Sequence, residues 1–555
     1  MTSGRKIAIT VIGAIAAIVC ACERPPQASR NVPTTELPPL SGQPFLDVTA
    51  VAGLDFVHAV GDDYMDNIIE SLGSGAVWTD VDGDEDLDVY LVNQRWIEGV
   101  SSEPSRRPQI SNRLFLNAGN GTFEDATDYA NVGDSGYGYA AAAADIDNDG
   151  DQDLYVANCG ENRLYLNRGN GVFDEGSRKA GVRDPRCSAG ATFLDADGDG
   201  FLDLYVANYL EFDPDYRINY APDAYPGPLA YEAQADALYR NQGDGTFTDA
   251  SAAFGIDITP GRAMGVVSAD FDLDGKPDIF VANDASENFL FRGSGEGFAE
   301  RAVELGAAFG FYGEMTGAMA GSVGDFDGDG LLDILVTDTT HGSLYHNTGD
   351  ALFEDTMASS GLAVFSGQWV SWGGGFFDFD NDGDLDVLQV NGDLKHPTGR
   401  PDLLLENLGD GTFDVADGGP YFAKEKLGRG GAFADFDNDG DVDILVTNLN
   451  ARPVLLRNDL DNGNHWIVLR LVATKGNRDA LGARVTVRAG DREWTRVRHA
   501  PSGYLTQSDP RLHFGLGDVS EIDSLEIVWP DGQRETFSGI GVDGIRTLTQ
   551  GKGVR

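Results

Sequence analysis

Apolar residues in this chain come in short unbroken runs, with no stripe at helical spacing. DVYLVN (88–93), DLYVAN (153–158 and again 203–208), DIFVAN (278–283) and DILVTN (443–448) are β-branched and aromatic runs four or five residues long. Such runs predict short strands buried on both faces. A segment of small and apolar residues precedes each (GAVWT, GATFL, GVVSA, GGAFA), and a polar residue ends each: Asn93, Asn158, Asn208, Asn283, Asp338, Asn391 or Asn448. A hairpin signal follows, as in LFLNAGNGTF, LYLNRGNGVF, LYRNQGDGTF, LYHNTGDALF and LLENLGDGTF, where apolar runs flank turn residues. Each unit therefore predicts four short antiparallel strands. Seven units recur about 50 to 75 residues apart, a period that means a solenoid, propeller or array. Four-stranded sheets repeated radially are propeller blades, whereas a row of separate seven-stranded sandwiches needs roughly 100 residues per copy. The expected fold is all-β, a seven-bladed β-propeller over residues 45–460 followed by a small C-terminal antiparallel β domain over 464–550.

Between the first two strands of every unit lies D-x-D-x-D-x-x-x-D. The copies are Asp80, Asp82, Asp84 and Asp88; Asp145, Asp147, Asp149 and Asp153; Asp195, Asp197, Asp199 and Asp203; and Asp270, Asp272, Asp274 and Asp278. Three more follow: Asp325, Asp327, Asp329 and Asp333; Asp378, Asp380, Asp382 and Asp386; and Asp435, Asp437, Asp439 and Asp443. Alternating aspartates in a tight loop turn short carboxylates toward one centre, and hard oxygen ligands in that number suit calcium, about seven ions in all. The EF-hand is excluded: it needs Glu at position 12, where these loops have Leu91, Val156, Val206, Val281, Val336, Gln389 and Val446. Two carboxylates 4 Å apart repel by about 4 kcal/mol at an effective dielectric of 20, so a cation is needed for the loop to close. Six loops have Gly at the sixth position. The first has Glu85, where the backbone is expected to be strained.

Six repeats end in a hairpin and a fourth-strand segment such as FEDATDYANV, FTDASAAFGI or FEDTMASSGL; the seventh stops at VLLRN. FLDVTAVAGL (45–54), near the other end of the chain, matches the missing segment. It is expected to form the outer strand of the seventh blade, closing the ring and hiding an exposed sheet edge. Upstream, Arg5 and Lys6 precede an apolar run from Ile7 to Val19 and then Cys20, Ala21 and Cys22. This reads as a secretory signal, residues 1–22, too short to span a bilayer comfortably. It resembles the bacterial lipoprotein box, with Cys22 as the lipidated residue and the proline-rich stretch 23–44 as a tether. Cys159 and Cys187 fall in neighbouring repeats of an exported chain; they are either bridged or two buried thiols.

From His465 the character changes: 13 Lys and Arg stand against 11 Asp and Glu, in a chain of formal net charge −50. ARVTVRAG, EWTRVRHA and LEIVWPDGQRETF alternate as strands do, and Arg484, Arg488, Arg496 and Arg498 are read as a solvated strand face, with an anion or partner site as the alternative. NRDALGARV, SGYLTQSDPRLHFGLG and VWPDGQ together resemble the ASPIC/UnbV domain of the cartilage acidic protein family. There it follows FG-GAP or VCBS-type repeats like those above. The resemblance implies calcium-stabilised propellers with roles in adhesion or extracellular interaction, and it carries over no catalytic residue.

The acidic excess argues against nucleic acid and anionic lipid as partners, leaving the lipid anchor as the membrane attachment. The seven histidines form no HExxH, and neither a G-x-S-x-G elbow nor a phosphate loop occurs. The expected function is a calcium-stabilised binding or adhesion protein of the bacterial cell envelope with a protein or glycan ligand. An envelope enzyme acting on glycans and an assembly factor for another exported protein are the alternatives. The insertion Tyr209–Ala237, with five tyrosines and four prolines, is read either as a recognition loop or as a flap across blades. A second insertion, Gln94–Ser111, carries Trp96 and three arginines.

Overall fold

The structure is a computed structural model; residues 36–61, 65–98, 101, 111–216, 225–256, 259–500 and 503–554 are described. The lipidation site at Cys22 and most of the Gln94–Ser111 insertion lie outside the described residues.

Repeats one, two, three and six each form one four-stranded antiparallel sheet in chain order; repeats four and five have the same four strands but are joined into one eight-stranded sheet, and repeat seven takes its fourth strand from the N-terminal end of the chain. In the second repeat the strands are Gly138–Ala144, Asp153–Asn158, Arg163–Asn167 and Phe173–Glu175. The innermost strands contain mainly Ala, Gly and Ser, because seven of them must crowd around one axis: GYAAAAA, SAGATFL and GRGGAFA are buried throughout. Each innermost strand touches the next, and that of repeat seven touches that of repeat one, so the sheets close into a propeller. Large side chains of the second and third strands fill the layers between blades; Trp78, Phe123 and Phe436 pack together between repeats one and seven.

The ring closes as the sequence predicts, though by a shorter strand. Phe45–Asp47 pairs antiparallel with Val454–Asn458, Phe45 opposite Asn458 and Asp47 opposite Leu456. Residues 49–52 then form one helical turn rather than more strand. The same happens after Phe123–Asp125, where Thr127–Ala130 is helical. Asp125 is the cause: its Oδ1 accepts the amide and the hydroxyl of Thr127, bending the chain out of the sheet. The tether also proves shorter than predicted. Pro38 O accepts from Arg457 (2.9 Å) and Ser41 N donates to Asp459 (2.7 Å), so the chain is docked on repeat seven well before Phe45.

The C-terminal domain has one three-stranded and one four-stranded sheet around Phe514, Leu525, Ile527 and Trp529. It is not purely antiparallel: His465–Val472 pairs parallel with Ile545–Thr549, since the chain crosses the whole domain between them. Cys159 and Cys187 are bridged, tying repeats two and three on the side opposite the aspartate loops.

Candidate metal loops and the domain that covers them

Every aspartate loop has the same construction, and its four acids do different work. The first aspartate caps the turn: Asp145 Oδ2 accepts from Gly150 N at 2.8 Å, and five other loops repeat this with their sixth-position Gly. The ninth is a brace. Asp443 accepts from Asn458 N on the third strand (2.8 Å) and from Phe436 N inside the loop (3.1 Å), and the pattern holds in all seven repeats. Two backbone bends per loop need positive φ. The sixth position is Gly in six loops, and Glu85 takes the same left-handed conformation at φ 77°. The expected strain is present there, and Leu273 in loop four (φ 61°) bears a comparable one.

What remains is a set of carboxylate oxygens with nothing to accept. Oδ1 of Asp145, Asp195, Asp325, Asp378 and Asp437 is buried without a hydrogen-bond partner. A buried, unpaired carboxylate oxygen is costly, and a cation is the group that satisfies several at once. Burial, reinforced by the neighbouring carboxylates, pushes Asp145 up to about 7. The same desolvation holds Asp378, Asp435 and Asp443 well above the carboxylate range. Outside loop five, where His346 joins Asp327 and Asp329, the donor set is all oxygen and anionic, which fits calcium.

The hairpin Asn that reads in sequence as a turn signal is in fact a latch between blades. Asn117 Nδ2 donates to Phe436 O of repeat seven at 2.9 Å, and Asn167 donates to Val81 O of repeat one at 2.8 Å. Asn241, Asn347, Asn407 and Asn458 each reach the second residue of the preceding repeat's loop in the same way. Repeat four has Gly293 there and no latch.

The C-terminal domain lies directly on the loop face. Arg484 donates to Gly330 O (2.9 Å), Arg496 to Gly383 O (3.1 Å), and Arg511 to Asp435 O and the Asn438 side chain (both 2.6 Å). The reading of these arginines as a solvated face is thus overturned for Arg484 and Arg496; Arg488, paired with Glu493 in the open, keeps it. Strand alternation shows which residues share a face, but not what that face meets. Trp466 and Trp494 cover the sixth-position glycines of loops seven and six so closely that a Cβ on Gly440 would lie 1.8 Å from the Trp466 ring. Loops three and four instead face the domain across a cleft of about 710 Å³ lined by Arg484, Arg498, Trp529 and Arg534.

From this domain GYLTQSDP (503–510) dips into the propeller axis. Tyr504, fully buried, donates to Leu72 O (3.0 Å) and packs on Trp372. Thr506 donates to Gly431 O (2.9 Å), while the Gln507 amide brackets Ala143 N and O. Above Tyr504, buried Arg429 stacks 4.0 Å over Trp372 and donates to backbone carbonyls of Ser71, Gly428 and Asp393. Tyr209 and Tyr225 of the long insertion join the same cluster, so its described part behaves as a flap over the channel mouth.

Comparison with known proteins agrees with this architecture. Residues 80–156, 145–206, 229–281, 270–336 and 325–389 match the FG-GAP-like repeat, together more than half of the chain, and residues 473–555 match ASPIC and UnbV. The chain is similar to cartilage acidic protein 1 of Homo sapiens, 28% identical over 308 residues that make up 53% of this chain and 37% of that protein. The Xenopus tropicalis protein of the same name is 28% identical over 339 residues, 56% and 42% of the two chains. The matched stretch is thus about two fifths of those relatives' length. Solved structures similar to it include an Agrocybe aegerita lectin that recognises non-reducing terminal N-acetylglucosamine (17% identity, 68% of this chain, 86% of that chain, TM-score 0.36). Another is a Bacillus licheniformis rhamnogalacturonan lyase (12% identity, 73% and 76%, TM-score 0.39). With repeats of one family forming the propeller and the second family's domain seated on its loops, the chain belongs to the cartilage acidic protein-like family of FG-GAP repeats joined to an ASPIC/UnbV domain.

Proposed function

We propose that this chain is a calcium-stabilised, exported binding protein, held to the cell envelope through a lipid on Cys22. The observation that carries the calcium reading is the set of buried carboxylate oxygens left unpaired at the loops. An architecture whose axis is filled by its own C-terminal domain, and whose loop face that domain covers, works as a rigid scaffold. Recognition then falls to the opposite face, where Phe311, Tyr312 and Met315 stand exposed between repeats four and five. Aromatic side chains on a rigid frame suit a glycan or a protein partner. Among the described residues no helix is long and apolar enough to cross a membrane. An envelope enzyme acting on glycans would need its acids at a site other than the channel, which Tyr504 to Gln507 occupy.

The calcium reading is tested by bound-metal analysis and thermal unfolding of the full chain in millimolar calcium and in chelator. Sites of about 10⁻⁴ to 10⁻³ M give a lower melting temperature in chelator, because a cation bound only by the folded state stabilises it by mass action. Equal melting in both, with no calcium retained, would sink the reading.

A further inference from the structure

The seven loops are alike in their aspartates but not in the side chain that approaches them from the third strand. That side chain immediately precedes the latch position, and it faces the third-position carboxylate of its own loop. In repeats one and two it is Leu116 or Leu166 and brings no charge. In repeat three it is Arg240, whose Nε lies 2.5 Å from Asp197 and whose Nη2 lies 3.2 Å from Asp199. In repeat four it is Arg292, ion-paired to Asp272 and to Asp278 (3.1 Å). Repeat six has Glu406, which adds negative charge beside Asp380. Repeat seven has Arg457, but Asp459 captures its guanidinium at 2.6 Å, so loop seven keeps its acids.

Repeat five differs in kind. His346 Nε2 lies 3.0 Å from Asp327 Oδ2 and 3.7 Å from Asp329 Oδ2, and the three ligand atoms converge as a metal site would require. Nε2 is buried, and its contact with Asp327 lacks hydrogen-bond geometry. Asp325, 6% exposed, contributes a further oxygen, Oδ1, that no donor reaches. The imidazole is held edge-on against Phe326, the second residue of the same loop. Imidazole is a ligand for zinc, copper, nickel and iron, whereas calcium takes oxygen.

We propose that this third-strand residue sets the cation at each loop. His346 makes loop five a mixed carboxylate–imidazole site for a first-row transition ion such as zinc. Arg240 and Arg292 supply loops three and four with an internal cation in place of a bound one. The inference rests on the calcium reading for the remaining loops, one, two, six and seven. It lowers the expected count of calcium from the seven that the aspartate repeats alone predict.

The test uses the full chain, dialysed against millimolar calcium with micromolar zinc and analysed for both metals, with zinc affinity from calorimetry. Wild type is expected to retain one zinc per chain against excess calcium. His346→Leu should weaken that site at least about tenfold, as loss of a direct ligand must cost no less than loss of a supporting contact. Leu is the residue at this register in repeats one and two, so the variant should fold, and its thermal melt checks this. Leu166→His should add a second zinc site in loop two, and the double variant Arg240→Leu, Arg292→Leu should raise bound calcium by two. Unchanged zinc affinity in His346→Leu, or unchanged calcium in the double variant, overturns the proposal. A wild type that binds calcium but retains no zinc overturns it while leaving the calcium reading standing. One zinc and no calcium would do the reverse.

Discussion

Tyr504 is the residue at which the two domains are most directly joined, and its removal tests whether they fold as one unit. The side chain belongs to the C-terminal domain by sequence, yet its whole surface is buried inside the propeller among Trp372, Arg429 and the backbone of Leu72. Tyr504→Phe keeps the ring and removes the hydroxyl that donates to Leu72 O; the net loss is about 1 kcal/mol. Tyr504→Ala adds an unfilled cavity beside Trp372, and aromatic-to-Ala changes in packed cores cost about 3–5 kcal/mol. Equilibrium urea unfolding in saturating calcium, followed by tryptophan fluorescence, measures both. Limited proteolysis between Asp459 and Asn464 reports separately on undocking. The Ala variant should open this linker to cleavage and split one transition into two. Tyr129→Ala, at a half-exposed tyrosine on the blade rim, serves as the control and should stay within about 0.5 kcal/mol. A Tyr504→Ala protein that unfolds in one transition within about 1 kcal/mol of wild type would refute the argument that this segment locks the domains together.

The inter-blade latch gives a second prediction. Asn347→Ala leaves Phe271 O and Leu332 O unpaired in a buried setting and should cost about 2–4 kcal/mol by the same urea assay. Repeat four must not be repaired by analogy: a Cβ on Gly293 would lie 2.2 Å from Pro277 O, so Gly293→Asn should lower the melting temperature although it restores the repeat pattern. Replacing Cys159 and Cys187 with Ser should cost about 3–4 kcal/mol for a loop of this span, read as a lower melting temperature under non-reducing conditions. The last prediction is for pH. Burial pushes Asp236, Asp284 and Asp402 up to about 6, and in loop two, without a cation, it pushes Asp145 up to about 7 and Asp153 up to about 8. The folded chain therefore holds protons that the unfolded chain has released, and stability falls as pH rises from about 4 to about 8 in chelator. In saturating calcium Asp145 and Asp153 should be ionised and bound, so the slope between about 6 and about 8 should become shallower; an identical pH profile with and without calcium would contradict this.

The parts of the fold legible in the sequence are those encoded by local repetition. Seven runs of DxDxDxxxD marked the turns between first and second strands, and the match of FLDVTAVAGL to the missing outer strand marked the closure at Phe45–Asp47. What stayed hidden is what depends on a surface finding its partner. The ninth aspartate reads as a fourth ligand, and in three dimensions it also holds two amides of its own blade, as Asp443 does with Asn458 and Phe436. Its place nine residues into every loop, just where the second strand begins, was a signal that it braces the sheet. The Asn of the hairpin runs could have been noticed in the same way, since a turn at Asn-Gly does not require an Asn three residues earlier. Nothing local distinguishes Arg484, which grips a loop carbonyl, from Arg488, which faces water one turn of the pleat away.

The charge distribution gives these contacts a common logic. A chain of net charge −50 that gathers carboxylates at one end of a ring needs positive charge there. The near-neutral C-terminal domain delivers it as arginines directed at the loops. Their strongest contacts, however, avoid the loop carboxylates: Arg484, Arg496 and Arg511 donate to the backbone carbonyls of Gly330, Gly383 and Asp435. Carbonyls are the atoms whose positions the loop conformation fixes. A domain gripping them reads the shape of the loops and not merely their charge. A cation that held the aspartates together would also hold the carbonyls in register, and closing the loops and seating the domain would then be two descriptions of one equilibrium. The covalent boundary near residue 464 is therefore not an energetic one. The C-terminal domain completes the propeller, with its tyrosine in the axis and its tryptophans over the glycines of loops six and seven.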